Sequence, residues 1–529
     1  MNRETTTPIR KWQRRSAALR RLGSGGQAVL IGLALASGAA WAQEERAAPA
    51  ASSDRHSAGW DRALRLKGAP LPPKFPKVGT EIERVVLENG MVVYLQEDHR
   101  LPLLDAIAFV RAGTYYDTAE EVGTGSLVGE VLRSGGSQNF PPEKLEERLD
   151  FIAANLGVSM QAEECVLSLN VPQKDADEGL RILTDVLRNP VFEESRLELA
   201  KRQAIFRLRS SNESPAPLIR REFNRLLFTE AHPAGRTPTI ERISQIRRDD
   251  LVRFHGKYFH PNQMLLGLTG DFQKAEMLQK VRQLLGDWPQ AEVSLPPLPK
   301  VNPQAKPGIY YVPKAINQTS LRIGHWGTNR DNPDRFAIDL MDSILGGSDF
   351  SSRLVKRVRN DEGLAYDVGT AFPTSQRDIS FFLAVAQTKT ESTVQAISSI
   401  LDEVRKIAAT KVSPNEFSTA KEMFLYSYVF RFTEPARALT ALMRLEYDGL
   451  PSDYLEKEFQ GYRAVTPEDI ERVAQKYLHP DQLTIFVVGD YPKFADGLAK
   501  LGQPKEIKPL QFDGNDQPRR RGPSPGGNR

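Results

Sequence analysis

The sequence predicts an α+β fold built from two homologous halves in tandem. Residues 250–271 and 469–490 repeat each other without a gap, each giving a helix, a Lys-Tyr-x-His-Pro-x-Gln corner and an apolar strand that ends in Gly-Asp. Each half mixes hairpin-like strands with amphipathic helices, such as 177–188 and 392–407. We expect residues 289–307 to link the halves, because six prolines disfavour helices and paired strands there.

The first regular element is a predicted hairpin. Asn89-Gly90 supplies a two-residue turn, because both residue types tolerate the positive φ angles of a tight turn. Apolar residues alternate with polar ones on both sides of this turn, at Val85, Leu87, Val92 and Tyr94.

The N-terminus has the pattern of an export signal. Basic residues precede an apolar run, residues 28–36, which is too short to span a bilayer. Ala40 and Ala42 then form an A-x-A cleavage site. We expect cleavage after Ala42, a periplasmic location and no stable transmembrane anchor, with a retained anchor as the alternative. The pair Arg14-Arg15 leaves both Sec and twin-arginine export open.

The formal net charge of +4 is concentrated at the two ends of the chain. Residues 1–42 contribute +6 and residues 517–529 contribute +4, so residues 43–516 carry −6. This acidic body argues against nucleic acid as a partner. The single cysteine, Cys165, cannot form an internal disulfide.

No two of the seven histidines lie four residues apart, which is the spacing of a helical zinc site. His255 and His260 are five residues apart and point to different helix faces. His260 and His479 occupy the same place in the two repeats, and we interpret them as structural corners. The two predicted domains also lack a G-x-S-x-G motif and a P-loop, although a Ser/His/Asp arrangement stays open.

Residues 123–137, GTGSLVGEVLRSGGS, read as one short helix between glycines. Its apolar residues have helical spacing and predict a buried stripe, formed by Leu127, Val128, Val131 and Leu132.

The tandem halves, the proline-rich segment and the strand-closing Gly-Asp resemble the pitrilysin/insulinase family of zinc peptidases, which includes the mitochondrial processing peptidase. Residues 344–368, ILGGSDFSSRLVKRVRNDEGLAYDV, are similar to the family's Gly-Gly-x-x-Ser-Ser-Arg-Leu … Gly-Leu-Ala-Tyr segment. The resemblance covers roughly residues 80–500. It implies two tandem α/β-roll domains of the mitochondrial processing peptidase type.

In active members of this family, a first-half helix carries the zinc motif H-x-x-E-H, whose Glu is the general base. The resemblance puts Ser126 at the first His, Gly129 at the base and Glu130 at the second His. Arg207 falls where a further Glu ligand would lie, to within one helical turn, and its cation would repel zinc. The resemblance thus implies no catalytic or metal-ligating residue and no cofactor in this chain. Glu130 and Arg207 could instead form an ion pair.

Arg359 and Tyr366 match, in type and spacing, an Arg and a Tyr with which the family holds substrate and polarises the scissile carbonyl. A guanidinium and a phenol can both donate hydrogen bonds to a developing oxyanion. The alternative interpretation is that Arg353, Lys356, Arg357 and Arg359 form a solvated basic helix face and that Tyr366 lies in the core.

In two-subunit members of the family, one chain carries the zinc motif and the other carries the Arg/Tyr segment. The resemblance therefore implies a non-catalytic, substrate-binding subunit of an exported heterodimeric zinc metalloendopeptidase that acts on peptides or unfolded proteins. The implied partners are a zinc-bearing paralogous subunit and an extended peptide. Two alternatives stay open: a stand-alone envelope protein that binds peptides or aids assembly, and an active metallopeptidase with an unrecognised site.

These observations divide the chain into six predicted segments. They are a signal peptide at 1–42, a loose leader at 43–80, an N-terminal peptidase-like domain at 81–288, a linker at 289–307, a C-terminal peptidase-like domain at 308–512 and a disordered basic tail at 513–529.

Overall fold

The structure is a computed structural model. It describes residues 73–297, 300–304, 306–348 and 351–512. The predicted signal peptide, the predicted basic tail and the part of the predicted leader before residue 73 lie outside the described residues. Within those ranges, no helix combines the length and the apolar character that a membrane crossing requires.

Each half contains one six-stranded sheet. The strands of the N-terminal sheet are β1 (Ile82–Val86), β2 (Val92–Glu97), β3 (Leu103–Val110), β4 (Asn155–Met160), β5 (Cys165–Pro172) and β6 (Met264–Gly270). Those of the C-terminal sheet are β7 (Gly308–Pro313), β8 (Gln318–Trp326), β9 (Ala365–Ala371), β10 (Phe381–Lys389), β11 (Thr484–Gly489) and β12 (Pro504–Glu506).

The two sheets repeat one topology. Their strand orders are β1-β2-β6-β3-β5-β4 and β12-β7-β11-β8-β10-β9, so five strands of each sheet correspond one to one. The correspondence includes the parallel pairs β2/β6 and β7/β11. Only the first edge differs, because β1 pairs antiparallel with β2 whereas β12 pairs parallel with β7. The predicted fold class of two homologous α+β domains is confirmed.

Helices occupy the connections between the strands. Those of the N-terminal half are α1 (Thr124–Ser134), α2 (Pro142–Phe151), α3 (Ala176–Arg188), α4 (Glu194–Ser210), α5 (Pro215–Phe228), α6 (Ile240–Gln245), α7 (Arg248–Tyr258) and α8 (Lys274–Leu285). Those of the C-terminal half are α9 (Arg335–Asp342), α10 (Thr393–Ala409), α11 (Pro414–Phe430), α12 (Pro435–Tyr447), α13 (Tyr454–Ala464), α14 (Pro467–Tyr477) and α15 (Ala495–Leu501). Two π-helical segments, Ser343–Gly347 and Val355–Asp361, follow α9.

The sequence repeat has the same secondary structure in both halves. Helices α7 and α14 have equal lengths, and each ends at the tyrosine of the Lys-Tyr-x-His-Pro-x-Gln corner. Strands β6 and β11 both end at the glycine of Gly-Asp. Between α8 and β7, the described residues form neither helix nor strand.

The predicted hairpin forms, but its turn is longer than expected. Strands β1 and β2 pair antiparallel, and the Leu87 amide donates to the Met91 carbonyl (2.9 Å), which leaves a three-residue loop. Within that loop only Gly90 has a positive φ, of 81°. Asn89 has another role: its buried side-chain amide donates to the carbonyls of Leu285 (2.7 Å) and Trp288 (3.1 Å). The asparagine therefore ties the turn to the end of α8.

Each half contributes one helix to the sheet of the other half. Helix α5 packs its apolar face on β8 and β11 of the C-terminal sheet. Helix α12, which follows the 17-residue helix α11 as α5 follows the 17-residue helix α4, packs on β6 of the N-terminal sheet. The opposite face of each sheet carries helices of its own half, so every residue of the central strands β6 and β11 is buried.

Each of these two helices packs closely against the sheet of the other half. Phe223 of α5 is fully buried and meets the rings of Phe381 and Phe486 edge to face, with ring centroids 5.9 and 6.3 Å apart. At the other contact, a Cβ on Gly267 of β6 would lie 2.3 Å from the sulfur of Met443 on α12. A side chain at residue 267 would therefore require Met443 to move.

We predict that Phe223→Ala lowers the free energy of unfolding by about 3–5 kcal/mol, because it leaves a cavity between α5 and the C-terminal sheet. The matched control is Phe206→Ala on α4, whose side chain is 70% exposed. That control should change stability by no more than about 0.5 kcal/mol. Urea-induced unfolding measures both, and equal effects would contradict the proposed role of the contact.

Candidate functional site

Helix α1 coincides with the predicted short helix, and its apolar stripe is buried as expected. A carboxylate that the sequence analysis missed fixes its first turn. The amides of Gly123 and Gly125 donate to the two oxygens of Asp117, at 2.9 and 3.0 Å. Asp117 is buried, and burial raises its pKa to about 7 although both amides oppose this shift. An acidic residue just before a glycine-bounded helix was the available sequence signal.

The polar positions of α1 hold an ion pair. Glu130 accepts a hydrogen bond from the guanidinium of Arg207 on α4, so the suggested pairing of these two residues is present. Burial raises the pKa of Glu130, and the cation of Arg207 opposes that shift. Ser126, one turn earlier, is exposed. This cluster contains one acid and one base, so their charges cancel.

Gly129 lies directly against the neighbouring sheet. A Cβ at this position would lie 2.3 Å from the Cβ of Met160 at the end of β4. Helix α1 and strand β4 therefore pack too closely for any side chain at residue 129. The resemblance places the general base at residue 129. This chain has a glycine there, which cannot act as a base, and the close packing against β4 leaves no room for any other side chain.

Metal-ligating residues do not cluster in the part of the chain that the structure describes. There, no group of three or more His, Cys, Asp or Glu residues could hold a metal ion. His255 is buried, its Nε2 lies 2.8 Å from the Leu187 carbonyl oxygen, and burial lowers its pKa to about 4. His260 Nε2 lies 2.8 Å from the Gly256 carbonyl oxygen.

Arg359 and Tyr366 come together in the C-terminal half. Arg359 lies in the π-helical segment Val355–Asp361, and Tyr366 lies on β9, the edge strand of the C-terminal sheet. The Arg359 guanidinium carbon lies 5.0 Å from the centroid of the Tyr366 ring, within the range of a cation–π contact. Tyr366 is 83% exposed, so the alternative of a core tyrosine is wrong.

The basic residues around Arg359 do not form a solvated helix face. Arg353 makes a bidentate ion pair with Glu416 at the start of α11 (2.7 and 3.1 Å). Arg357 donates to Glu362 (2.8 Å) and to Glu403 on α10 (3.1 Å). That alternative is therefore wrong for Arg353 and Arg357, whose ion pairs anchor the segment that carries Arg359.

The structure thus brings the sequence-predicted residues together as two pairs, one in each half. The N-terminal pair is a charge-compensated ion pair on a tightly packed helix. The C-terminal pair places the half-buried Arg359 guanidinium against the exposed Tyr366 phenol on an edge strand, and both are groups of the hydrogen-bond donor type.

The duplicated fold is that of a peptidase-like protein. It is similar to the solved structure of a peptidase M16 inactive domain from Pseudomonas fluorescens, with a TM-score of 0.70 and 22% identity. That match covers 77% of this chain and 97% of the other chain. Residues 92–234 match the family description "Insulinase (Peptidase family M16)", and residues 245–424 match "Peptidase M16 inactive domain". The chain belongs to the insulinase, or peptidase M16, family.

Relatives in this family carry different names. The chain is 22% identical over 341 residues to an "Uncharacterized zinc protease" of Rickettsia bellii, covering 63% of this chain and 80% of that protein. It is 24% identical over 404 residues to the "Non-peptidase homolog YmxG" of Helicobacter pylori, covering 76% and 92%. Family membership therefore does not decide whether this chain is an active peptidase. That question depends on the residues of the candidate site.

We predict that Gly129→Ala lowers the free energy of unfolding by about 1–3 kcal/mol, because the added methyl group forces α1 away from β4. The matched control is Gly256→Ala on α7, where a Cβ meets nothing within 4 Å. That control should stabilise the chain by about 0.5–1 kcal/mol, since alanine favours a helix interior. Thermal unfolding of both variants checks the opposite signs, and a stabilising Gly129→Ala would contradict the close packing.

Proposed function

We propose that this chain is the non-catalytic, substrate-binding subunit of an exported heterodimeric zinc metalloendopeptidase that acts on peptides or unfolded proteins. One contrast carries the proposal. The helix that would hold zinc has its polar positions occupied by the Glu130–Arg207 ion pair and by the closed position Gly129. The Arg359–Tyr366 pair, in contrast, consists of a guanidinium and a phenol in contact, with Tyr366 exposed on an edge strand.

Zinc does not fit α1. Catalytic zinc needs three protein ligands and an open position for water. Ser126 is a poor ligand, the single carboxylate of Glu130 already binds a guanidinium, and the Arg207 cation would repel the ion. No step of peptide hydrolysis is therefore assigned to residues of the N-terminal half, and zinc would be held by the partner subunit.

Arg359 and Tyr366 would act on the substrate. A peptide carbonyl that is attacked by water gains negative charge on its oxygen, and a preorganised guanidinium or phenol stabilises that charge. Their mutual contact restricts both side chains before substrate binds. Since Tyr366 lies on edge strand β9, an extended peptide that adds to this edge would pass next to it. The ion pairs of Arg353 with Glu416 and of Arg357 with Glu362 hold the segment that carries Arg359 in place.

The proposal includes export to the periplasm with cleavage after Ala42. Its basis is the sequence pattern of basic residues, apolar run and A-x-A site. A paralogous chain that carries H-x-x-E-H and an export signal is the expected partner.

We predict that the purified chain has no peptidase activity by itself and that it gains chelator-sensitive activity when mixed with such a paralogue. In the mixed enzyme, Arg359→Ala and Tyr366→Phe should each lower kcat/KM by about 10²–10³, the effect of losing one oxyanion donor. Lys356→Ala is the matched control, because it removes an exposed cation from the same segment. Cleavage of an unfolded fluorogenic peptide measures all four proteins.

Three results would contradict the proposal. Activity of this chain alone that is lost on chelation would make it a metallopeptidase with an unrecognised site. A mixed enzyme unaffected by Arg359→Ala would remove the role of that pair. Peptide binding without cleavage, whatever paralogue is added, would favour a stand-alone envelope protein instead.

A further inference from the structure

Two arginines that have no acidic partner among the described residues lie between α5 and the C-terminal sheet. Arg322 extends from β8, and its guanidinium carbon lies 6.0 Å from the centroid of the Phe223 ring on α5. Arg220 precedes Phe223 by three residues, so it lies on the same side of α5. Within the ranges that the structure describes, neither guanidinium makes an ion pair. The contact between α5 and β8 thus brings two cations together.

The surroundings of Arg322 disfavour its charge. Burial lowers the pKa of Arg322 to about 10, the cation of Arg220 adds to this effect, and no carboxylate opposes it. The acid that α5 carries, Glu222, is buried and already accepts hydrogen bonds from two other arginines, Arg221 and Arg225. The contact therefore has an excess of positive charge that the described residues do not neutralise.

Arg322 lies at the border between a covered and an open part of this sheet face. Helix α5 packs on β8 and β11. Val385 of β10 pairs with Arg322 and is half-buried, whereas Gln387 of β10 and Asp367 of edge strand β9 are exposed on the same face. The carboxylate of Asp367 is separated from Arg322 by β10 and does not pair with it. Because the Arg322 side chain is itself partly exposed, a ligand over the open part can reach it.

The internal repeat shows that the fold does not require cations at this place. Arg322 of β8 takes the place that Ile107 has on β3, because each pairs with the equivalent residue of the repeated strand, β11 or β6. Helices α5 and α12 begin at the same distance after α4 and α11, so Arg220 corresponds to Thr440. Ile107 and Thr440 are neutral and line a cavity of about 190 Å³.

The first half also shows how the exchanged helix can neutralise a cation of the sheet. Arg84 of β1 makes a bidentate ion pair with Glu446 of α12, at 2.7 and 2.6 Å. The same alignment of the two helices puts Leu226 of α5 at the place of Glu446. The second half thus has two cations at this contact and a leucine where the first half has an acid. The missing counter-charge is an anion from outside the chain.

We propose that Arg220 and Arg322 bind a carboxylate of the substrate peptide, either an acidic side chain or the C-terminal carboxylate. Guanidinium groups bind carboxylates through paired hydrogen bonds, and they are well suited to partly buried ion pairs. A peptide that adds to β9 places alternate side chains on the face of Arg322. Such a peptide lies about 14 Å from β8, three strand spacings away, which an extended glutamate and an extended arginine can bridge together. The inference rests on the proposed peptide-binding function and adds a charge preference to it.

The test is calorimetric titration of the full chain, without a partner subunit, with three short Ala/Thr peptides whose amino termini are blocked. The first has a central Glu and an amidated C terminus, the second has Gln instead with the same amide, and the third has Gln with a free C-terminal carboxylate. We expect the first or the third peptide to bind about tenfold or more tightly than the second, as a hydrogen bond between charged groups contributes. Whichever of them binds more tightly identifies the source of the carboxylate.

Arg322→Gln and Arg220→Gln should each reduce this preference to less than about threefold while the second peptide binds as before. Arg220 is exposed, so its variant should fold normally. The matched control is Arg437→Gln, which removes an exposed cation from the other exchanged helix, α12, and should keep the preference.

The proposal is overturned if the three peptides bind equally, if the preference persists in both arginine variants, or if the control loses it as well. Equal binding of the three peptides leaves the proposed peptide-binding function in place. Failure of every peptide to bind contradicts that function and this inference together.

Discussion

The exchange of one helix between the two halves is the contact on which the rest of the molecule depends. Helix α5 of the first half covers the second sheet, and α12 of the second half covers the first sheet. Apolar burial supplies the main driving force, and ion pairs fix the contact, such as Arg444 with Glu164 at 2.9 Å. In the structure, each sheet buries one face against helices of its own half and the other face against a helix of the other half. The halves therefore form one body, and the positions of their sites are fixed relative to it.

Within this frame the duplicated elements have diverged in chemistry. Helix α1 packs so tightly on β4 that Gly129 has no room for a side chain, and Glu130 pairs with Arg207. The corresponding junction in the second half keeps a cavity lined on one wall by Asp339, Asp342 and Ser343. The same half holds the pair of Arg359 and Tyr366, of which Tyr366 is exposed. One architecture thus carries a charge-compensated contact at this junction in its first copy and a cavity with acidic side chains in its second.

Several features of this arrangement could be predicted from residue order. From the sequence repeat, α7 and α14 were expected to begin and end at equivalent residues, and they do. The apolar stripe of α1 predicted which face of that helix is buried. The hairpin was predicted at the right place, yet its loop has three residues because Asn89 is held by carbonyls near the end of α8. The basic residues near Arg359 suggested a solvated face, but Arg353 pairs with Glu416 on a helix far along the chain. Such partners do not show in a local pattern.

The sequence by itself determined the duplication, the α+β class, the family resemblance and the residue types at the positions of a zinc helix. These properties depend on local periodicity and on residue identity, which need no knowledge of distant contacts. Only the tertiary structure decided that residue 129 has no room for a side chain beside Met160, that Tyr366 is exposed, and that Glu130 pairs with Arg207. Those facts depend on the close packing of elements that are far apart along the chain, because room, exposure and hydrogen-bond satisfaction are properties of the packed interior.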